Sequence, residues 1–321
     1  MEYSLGIDIG GTNIAAGVVD ESFNIVSKSK VKTNPERGYE EVLRDIALAG
    51  ELAAREAGLP LDRIKWVGMG CPGTCNIESG LVEYANNLKW ENVPLRQFVG
   101  DALGIPAYIE NDANAAALGE YYAGAAKGAK SAIVITLGTG LGAGIIIDRK
   151  IFSGSNYAGA EIGHTVINVD GEPCTCGRRG CFEAYCSATA LVKFTKRAIE
   201  KNPDSLMIPI VEKEGKISGR TAFNAAKTGD KSGQDVVDYF IKNLACGIIN
   251  TINVFQPNIL CIGGGVSNEG DNLLMPLKER ISKEVYSKNS DNNTEITLCK
   301  LGNNSGIIGA ALLGRQQGSG V

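Results

Sequence analysis

The spacing of apolar residues along the chain changes several times, and glycine-rich turns separate the segments. Tyr3–Ile9 reads as a strand, Gly10-Gly11-Thr12-Asn13 as a turn, Ile14–Asp20 as a second strand and Ile25–Val31 as a third. Between Gly38 and Ala57 the residues Val42, Ile46, Ala49 and Ala53 recur at helical spacing, and Gly58 ends that helix. Ile64–Met69, Leu81–Tyr84 and Pro106–Ile109 predict strands, and the alanine-rich Ala113–Tyr122 predicts a helix. Past residue 186 the pattern becomes mainly helical, over Ala188–Glu200, Gly219–Thr228 and Ser232 to about Val254. A strand Asn258–Ile262 precedes a helix Asn272–Tyr286, in which Pro276 is tolerable only near the first turn. Ile296–Leu301 is the last predicted strand. Gly306–Gln316 is a helix whose Gly306, Gly309, Ala310 and Ala311 would let it pack closely on a neighbour. The Gly318-Ser319-Gly320 end is expected to fray.

The opening pattern occurs twice. Leu5–Asp20 lines up without gaps on Ile133–Asp148, each copy a strand, a glycine turn and a strand. A repeat at that distance points to a duplicated domain, since a solenoid would repeat far sooner. The uncharged run from Ser131 to Ile147 approaches membrane-span length, but its glycines and threonines make it two strands around a turn.

Composition narrows the class. A chain of 321 residues has room for two domains. A net charge of −4, with Lys and Arg scattered, lacks the electrostatic footprint of a nucleic-acid binder. The nine cysteines, with no secretion signal after Met1, fit a reducing cytoplasm.

The stretch around residues 158–186 carries the densest chemistry. It holds the one histidine, His164, followed by Cys174, Cys176 and Cys181, a set able to close a tetrahedral Cys₃His zinc site. Disulfides or buried thiols are the alternatives. Gly177 and Gly180 supply turns that let the cysteines converge. A metal-clamped loop would also fix Glu161 and Glu183 relative to the imidazole.

Three turns offer backbone N–H groups to an anion with no Cβ in the way: Gly10-Gly11-Thr12, Gly138-Thr139-Gly140 and Gly263-Gly264-Gly265. None is a Walker A loop, and none is a dinucleotide fingerprint in its strand–turn–helix setting. Asp8, at the edge of the first turn, can hold magnesium through water or merely accept a turn hydrogen bond. Glu110-Asn111-Asp112 joins a strand end to a helix start. Asn or Asp there is what a helix N-cap requires; in the alternative, one of them caps while Asp112 faces the cleft as the carboxylate that phosphoryl transfer to an alcohol needs near the hydroxyl proton.

Together these pieces resemble the ROK family of sugar kinases and repressors, within the actin–hexokinase–Hsp70 type of fold. The resemblance runs from Leu5 to Arg315. It is carried by D-I-G-G-T-N (8–13), C-P-G (71–73), N-L-K-W (87–90), E-N-D-A-N-A-A-A-L-G-E (110–120) and L-G-T-G-L-G-A-G (137–144). It continues in E-I-G-H (161–164), C-x-C-G-x-x-G-C-x-E (174–183), G-G-G-V-S (263–267) and L-G-N-N-S-G-I-I-G-A-A (301–311).

It implies a duplicated actin/hexokinase-like (ribonuclease H-like) two-domain α/β fold with an interdomain cleft. The small domain would span 1–114 plus 304–321, and the large one 115–303 with the zinc loop. The implied activity is ATP-dependent phosphorylation of glucose to glucose 6-phosphate in the cytoplasm, by a homodimer without nucleic-acid or membrane partners. N-acetylmannosamine kinase is the nearby alternative. A sugar-sensing ROK regulator is a more distant one, because Asp8 leaves no room ahead of it for the family repressors' helix-turn-helix.

By the same resemblance Asp112 is the base. Asn111, Glu161, His164 and Glu183 hold the other hydroxyls, with Gly73 and Asn87 lining that pocket. His164, Cys174, Cys176 and Cys181 bind structural zinc. Gly10, Gly11, Thr12, Asn13, Gly138, Thr139 and Gly140 cradle the phosphates of ATP, Gly264 and Gly265 lie under the nucleoside, and Asp8 faces Mg2+.

Overall fold

The N-terminal alternation folds as an antiparallel meander of β1 (Tyr3–Ile9), β2 (Asn13–Asp20) and β3 (Ile25–Lys32), in a computed structural model whose described residues are 1–318. The helix α1 (Tyr39–Glu56) turns Val42, Leu43, Ile46, Ala49 and Ala53 inward and stops just before Gly58, whose φ of +67° suits glycine. Then follow β4 (Ile64–Cys71), β5 (Thr74–Asn76), β6 (Leu81–Ala85), β7 (Trp90–Val93), α2 (Leu95–Leu103), β8 (Ala107–Asn111) and α3 (Asp112–Ala123). The second copy of the opening pattern is β9 (Ala132–Leu137) and β10 (Leu141–Ile147), with a short β11 (Lys150–Ile151). Four helices come next: α4 (Ala188–Lys201), α5 (Met207–Glu214), α6 (Thr221–Lys227) and α7 (Lys231–Phe255). The chain closes with β12 (Ile259–Gly263), α8 (Asp271–Glu284), β13 (Glu295–Leu298), α9 (Ser305–Ala311) and α10 (Leu313–Gln317).

Strand order confirms the duplication. One sheet runs β3-β2-β1-β4-β8 and another β11-β10-β9-β12-β13, so each copy of the repeat supplies two adjacent strands in the same place of its sheet. In the first sheet β4 adds in parallel to β1 and β8 in parallel to β4, with α1 on the first crossover and α2 on the second, as parallel pairing requires. A third, antiparallel sheet runs β5-β6-β7.

The chain divides into two compact units, Met1–Val134 with Gly144–Ala160 and Lys300–Val321, and Ile135–Ala143 with Glu161–Cys299. This division keeps the whole of α3 with the N-terminal unit, whereas the motif-based division at 114/115 cuts it. The packing of α9 explains the grouping. A Cβ on Gly6 or Gly68 would lie 1.9 or 1.8 Å from the carbonyl oxygens of Ile307 and Ala310, so α9 rests directly on the sheet backbone. A Cβ on Gly119 of α3 would lie 2.3 Å from the Ser305 oxygen, and one on Gly309 would lie 1.6 Å from that of Ala115.

Five elements depart from the sequence expectation by being present: β5, β7, β11, α2 and α5. The three strands are too short to show alternation. The helix α2 contains Gly100, and α5 contains Pro209, which is accepted because it lies in the first turn, where no N–H bond is required. Pro276 sits beyond the first turn of α8; both it and Asn272 are exposed, so the carbonyl it leaves unpaired can face water. The predicted last helix breaks at Leu312 into α9 and α10. Ser319 and Gly320, where fraying was expected, lie outside the described residues. Among those described, no helix is long and apolar enough to cross a membrane, and Ser131–Ile147 forms strands as expected.

Candidate active site

In the N-terminal unit the site grows from the ends of β1, β4 and β8. Asn111 is the N-cap of α3: its Oδ1 accepts from the N–H groups of Ala113 at 2.9 Å and Asn114 at 3.2 Å. Its Nδ2 donates to the Gly73 carbonyl at 3.1 Å, which ties the cap to the turn after β4. That turn needs glycine, because φ is +92° at Gly73 and a Cβ would lie 2.0 Å from the Tyr84 carbonyl oxygen. Asp112 is then the first helical residue, its Oδ1 accepting the Ala113 N–H at 2.8 Å.

Asp8, one residue before the end of β1, lies close enough to Asp112 to feel its charge. Burial first, and then Asp112, push the Asp8 carboxyl up to about 6. A divalent cation would relieve both effects, so Asp8 fits the magnesium side of a phosphate site. In the turn after it, the Gly10 carbonyl accepts from Thr33 Oγ1 at 2.6 Å and the Thr12 carbonyl from the Thr33 N–H at 3.1 Å. C=O and N–H point opposite ways across a trans peptide, so holding the Gly10 carbonyl aims the Gly11 N–H away from Thr33. Asn87 lies beside that turn, its Cβ 3.7 Å from where a Cβ on Gly11 would be.

The second unit holds the Cys/His loop. His164 Nδ1 is 3.7 Å from Cys174 Sγ, Cys176 Sγ is 3.6 Å from Cys181 Sγ, and the four ligand atoms all lie within 4.8 Å of one another. A tetrahedron with zinc–sulfur bonds of about 2.3 Å has edges of about 3.8 Å. The cluster therefore fits zinc, and the Cys176–Cys181 spacing is far beyond the bonded length of about 2.05 Å for a disulfide. Burial pushes the Cys181 thiol up to about 12, whereas the Arg178 N–H holds Cys176 below its ordinary value. Gly177 and Gly180 have φ of +88° and +78°, and a Cβ on Gly180 would lie 1.8 Å from the Asn168 carbonyl oxygen. The loop is seated by Phe182, which is fully buried against α7, where Gly247 leaves space for the ring.

The turn after β9 is anchored from behind by the segment that follows the metal loop. The Ala188 N–H donates to the Gly138 carbonyl at 2.8 Å, and Thr189 Oγ1 donates to the Thr139 carbonyl at 2.7 Å. With those carbonyls held, the N–H groups of Thr139 and Gly140 point the opposite way, as an anion cradle requires. Gly264 packs against the end of β9, where a Cβ would lie 2.5 Å from the Leu137 oxygen; a Cβ on Gly265 would meet nothing within 4 Å.

A ROK family profile matches residues 4–317. The chain belongs to the ROK family. It is similar to the glucokinase of Halalkalibacterium halodurans, with 34% identity over 316 residues, covering 98% of this chain and 96% of the relative. The glucokinase of Streptomyces coelicolor is 37% identical over 319 residues, 98% of each chain. Among solved structures, a ROK family glucokinase from Streptomyces griseus in complex with glucose and AMPPNP superposes with a TM-score of 0.83 and 36% identity, over 98% of this chain and 99% of that one. The actin/hexokinase-like α/β fold is thereby established.

Within this ROK chain the expected residues fall into two groups. Asp8, Gly10, Gly11, Thr12, Asn13, Gly73, Asn87, Asn111 and Asp112 belong to the first unit. Gly138, Thr139, Gly140, Glu161, His164, Cys174, Cys176, Cys181, Glu183, Gly264 and Gly265 belong to the second. In that second group burial raises the Glu161 carboxyl, with His164 opposing and Glu183 adding to the shift.

Sequence reasoning missed three supporting residues. Thr33 holds the first turn. Glu110, 2% exposed, accepts from the Asn111 N–H at 2.9 Å and from Asn114 Nδ2 at 3.0 Å, and burial raises its carboxyl. Glu120, fully buried, accepts the N–H groups of Lys300 at 3.1 Å and Leu301 at 2.8 Å, fastening the chain just before α9. Only their place inside matched motifs hinted at Glu110 and Glu120.

Proposed function

We propose that this ROK protein transfers the γ-phosphoryl group of ATP to the 6-hydroxyl of glucose, giving glucose 6-phosphate and ADP. The observation that carries the reading is the division of labour at 111–112. Asn111 caps α3 through the Ala113 and Asn114 N–H groups, and Asp112, the first helical residue, is near enough to Asp8 for their charges to interact, which supports giving it the proton transfer. The glucokinase relatives and the glucose–AMPPNP complex of the Streptomyces griseus enzyme support the choice of sugar and donor.

In this reading Asp112 accepts the hydroxyl proton as the sugar oxygen bonds to phosphorus and the bond to ADP breaks. Asn111, Glu161, His164 and Glu183 hold the remaining hydroxyls, beside Gly73 and Asn87. A site whose polar groups need those hydroxyls rejects sugars that lack them. Residues 10–13 and 138–140 hold the phosphates, and Gly264 and Gly265 lie under the nucleoside. Asp8 lies on the Mg2+ side, where the cation would offset phosphate charge. Zinc held by His164, Cys174, Cys176 and Cys181 would be structural, keeping His164 and Glu183 in place.

The test is an ADP-release assay with ATP across glucose, mannose, fructose and N-acetylmannosamine, with zinc measured on the same preparation. Glucose should give the highest kcat/KM. A preference for N-acetylmannosamine would overturn the choice of sugar, and no turnover on any of them would overturn the kinase reading.

A further inference from the structure

We propose that Glu183 is a positioning residue that couples the sugar site to the phosphate-binding turn. The inference rests on the function proposed above. Glu183 Oε2 accepts the Leu141 N–H at 2.8 Å, and a Cβ on Gly140 would come 2.3 Å from the same oxygen. The carboxylate therefore lies flat against the turn that leads into β10, where no residue but glycine would let it approach so closely. Its other oxygen, Oε1, faces the metal loop, 3.5 Å from Thr175 Oγ1 and 3.9 Å from Cys174 Sγ.

One carboxylate thus has two addresses: Oε2 holds the turn, and Oε1 faces the Cys/His loop, where the proposed function gives it a sugar hydroxyl. A hydroxyl donating to Oε1 draws charge toward that oxygen and restrains the side-chain torsions. Both changes act on the Leu141 N–H contact and so on the N–H groups of Thr139 and Gly140 just before it. Thr189 differs. Its hydroxyl anchors the same turn at the Thr139 carbonyl, and among the described residues it shows no hydrogen bond to Glu161 or Glu183, so it can support the turn without relaying anything. Binding of sugar and nucleotide should therefore be cooperative, and equally so in both directions.

Titration calorimetry of a non-hydrolysable ATP analogue, with and without saturating glucose, tests this on the full zinc-loaded chain. Wild type should bind the analogue roughly fivefold or more tighter with glucose present. Glu183→Gln, which keeps the shape and loses the charge, should bring that ratio close to one. Gly140→Ala, which crowds the carboxylate from the turn side, should do the same and keeps the test open if the first variant folds poorly. Thr189→Val should weaken the analogue with and without glucose alike, leaving the ratio intact. An unchanged ratio in both Glu183→Gln and Gly140→Ala, or a wild-type ratio of one with glucose bound, would overturn the coupling alone. A wild type that does not bind glucose would overturn it together with the proposed function.

Discussion

Gly306 leaves room for the Asp8 carboxylate: a Cβ at position 306 would lie 2.6 Å from Asp8 Oδ2 and 2.7 Å from its Cγ. The start of α9 is thus fitted to a side chain at the end of β1. In an open helix alanine would be worth about 1 kcal/mol more than glycine. Here it must displace a short carboxylate with little freedom to move. Gly306→Ala should fold and still cost tenfold or more in kcat, with the loss largest at low Mg2+. Steady-state kinetics over a Mg2+ series check it, and wild-type turnover in a folded variant would show that Asp8 does not depend on this fit.

The same carboxylate gives a pH signature. Its folded value, raised from 3.8 to about 6 by burial and by Asp112, means the native state binds more protons than the unfolded chain between those values. Asp8 therefore favours folding fully below pH about 4, and that contribution is lost as pH rises through about 6. At 1.36 kcal/mol per pH unit the loss is at most about 3 kcal/mol. Asp8→Asn should remove this dependence, so its stability relative to wild type should increase between pH 4.5 and 7.5. Urea unfolding at several pH values measures the difference, and a constant difference would contradict the raised Asp8 carboxyl.

Removing a zinc ligand tests the metal loop. Cys176→Ser should drop zinc from about one per chain to well below, lower Tm and raise KM for glucose. The last effect follows because Glu183 lies two residues past Cys181 and 3.9 Å from Cys174. Metal analysis alongside kinetics separates the outcomes: full zinc content in this variant would exclude Cys176 as a ligand.

What the sequence revealed follows from how local each signal is. The β1–β2 and β9–β10 hairpins were legible because alternation and glycine turns are short-range, and so was the Cys₃His loop, whose ligands lie within residues 164–181. Glu120 was not legible as an anchor, because its partners at 300 and 301 are distant in sequence and are backbone groups without a side-chain signature. Glu183 was read only as a sugar ligand, since nothing in its neighbourhood announces a bond to Leu141. Helix α2 escaped because three apolar anchors, Leu95, Val99 and Leu103, around a glycine are too few to establish a period.

The close approach of α3 and α9 makes a sharper stability prediction. A Cβ at Gly309 would sit 1.6 Å from the Ala115 carbonyl oxygen, a backbone atom that cannot rotate aside. Gly309→Ala should cost about 3 kcal/mol or more, at the upper end of overpacking effects. Gly104→Ala has no such obstacle, since nothing lies within 4 Å, and only the strain of φ +65° opposes it. Its cost should be about 1 kcal/mol. Chemical denaturation of the two variants gives the ranking, and equal costs would mean that the helices can separate without penalty.

Asn111 and Asp112 are adjacent, polar and both able to cap, yet their variants should fail in different ways. Asn111→Ala removes two accepted N–H bonds and the link to the Gly73 carbonyl, so it should lower stability by about 1–2 kcal/mol. Asp112→Asn keeps an oxygen for the Ala113 N–H and should leave Tm near that of wild type. Loss of the base should instead lower kcat by 10² to 10⁴, with the glucose-induced rise in Tm retained. Wild-type kcat in folded Asp112→Asn would assign the proton to another group. A fall in Tm as large as that of Asn111→Ala would mean that Asp112 shares the cap and is not reserved for the chemistry.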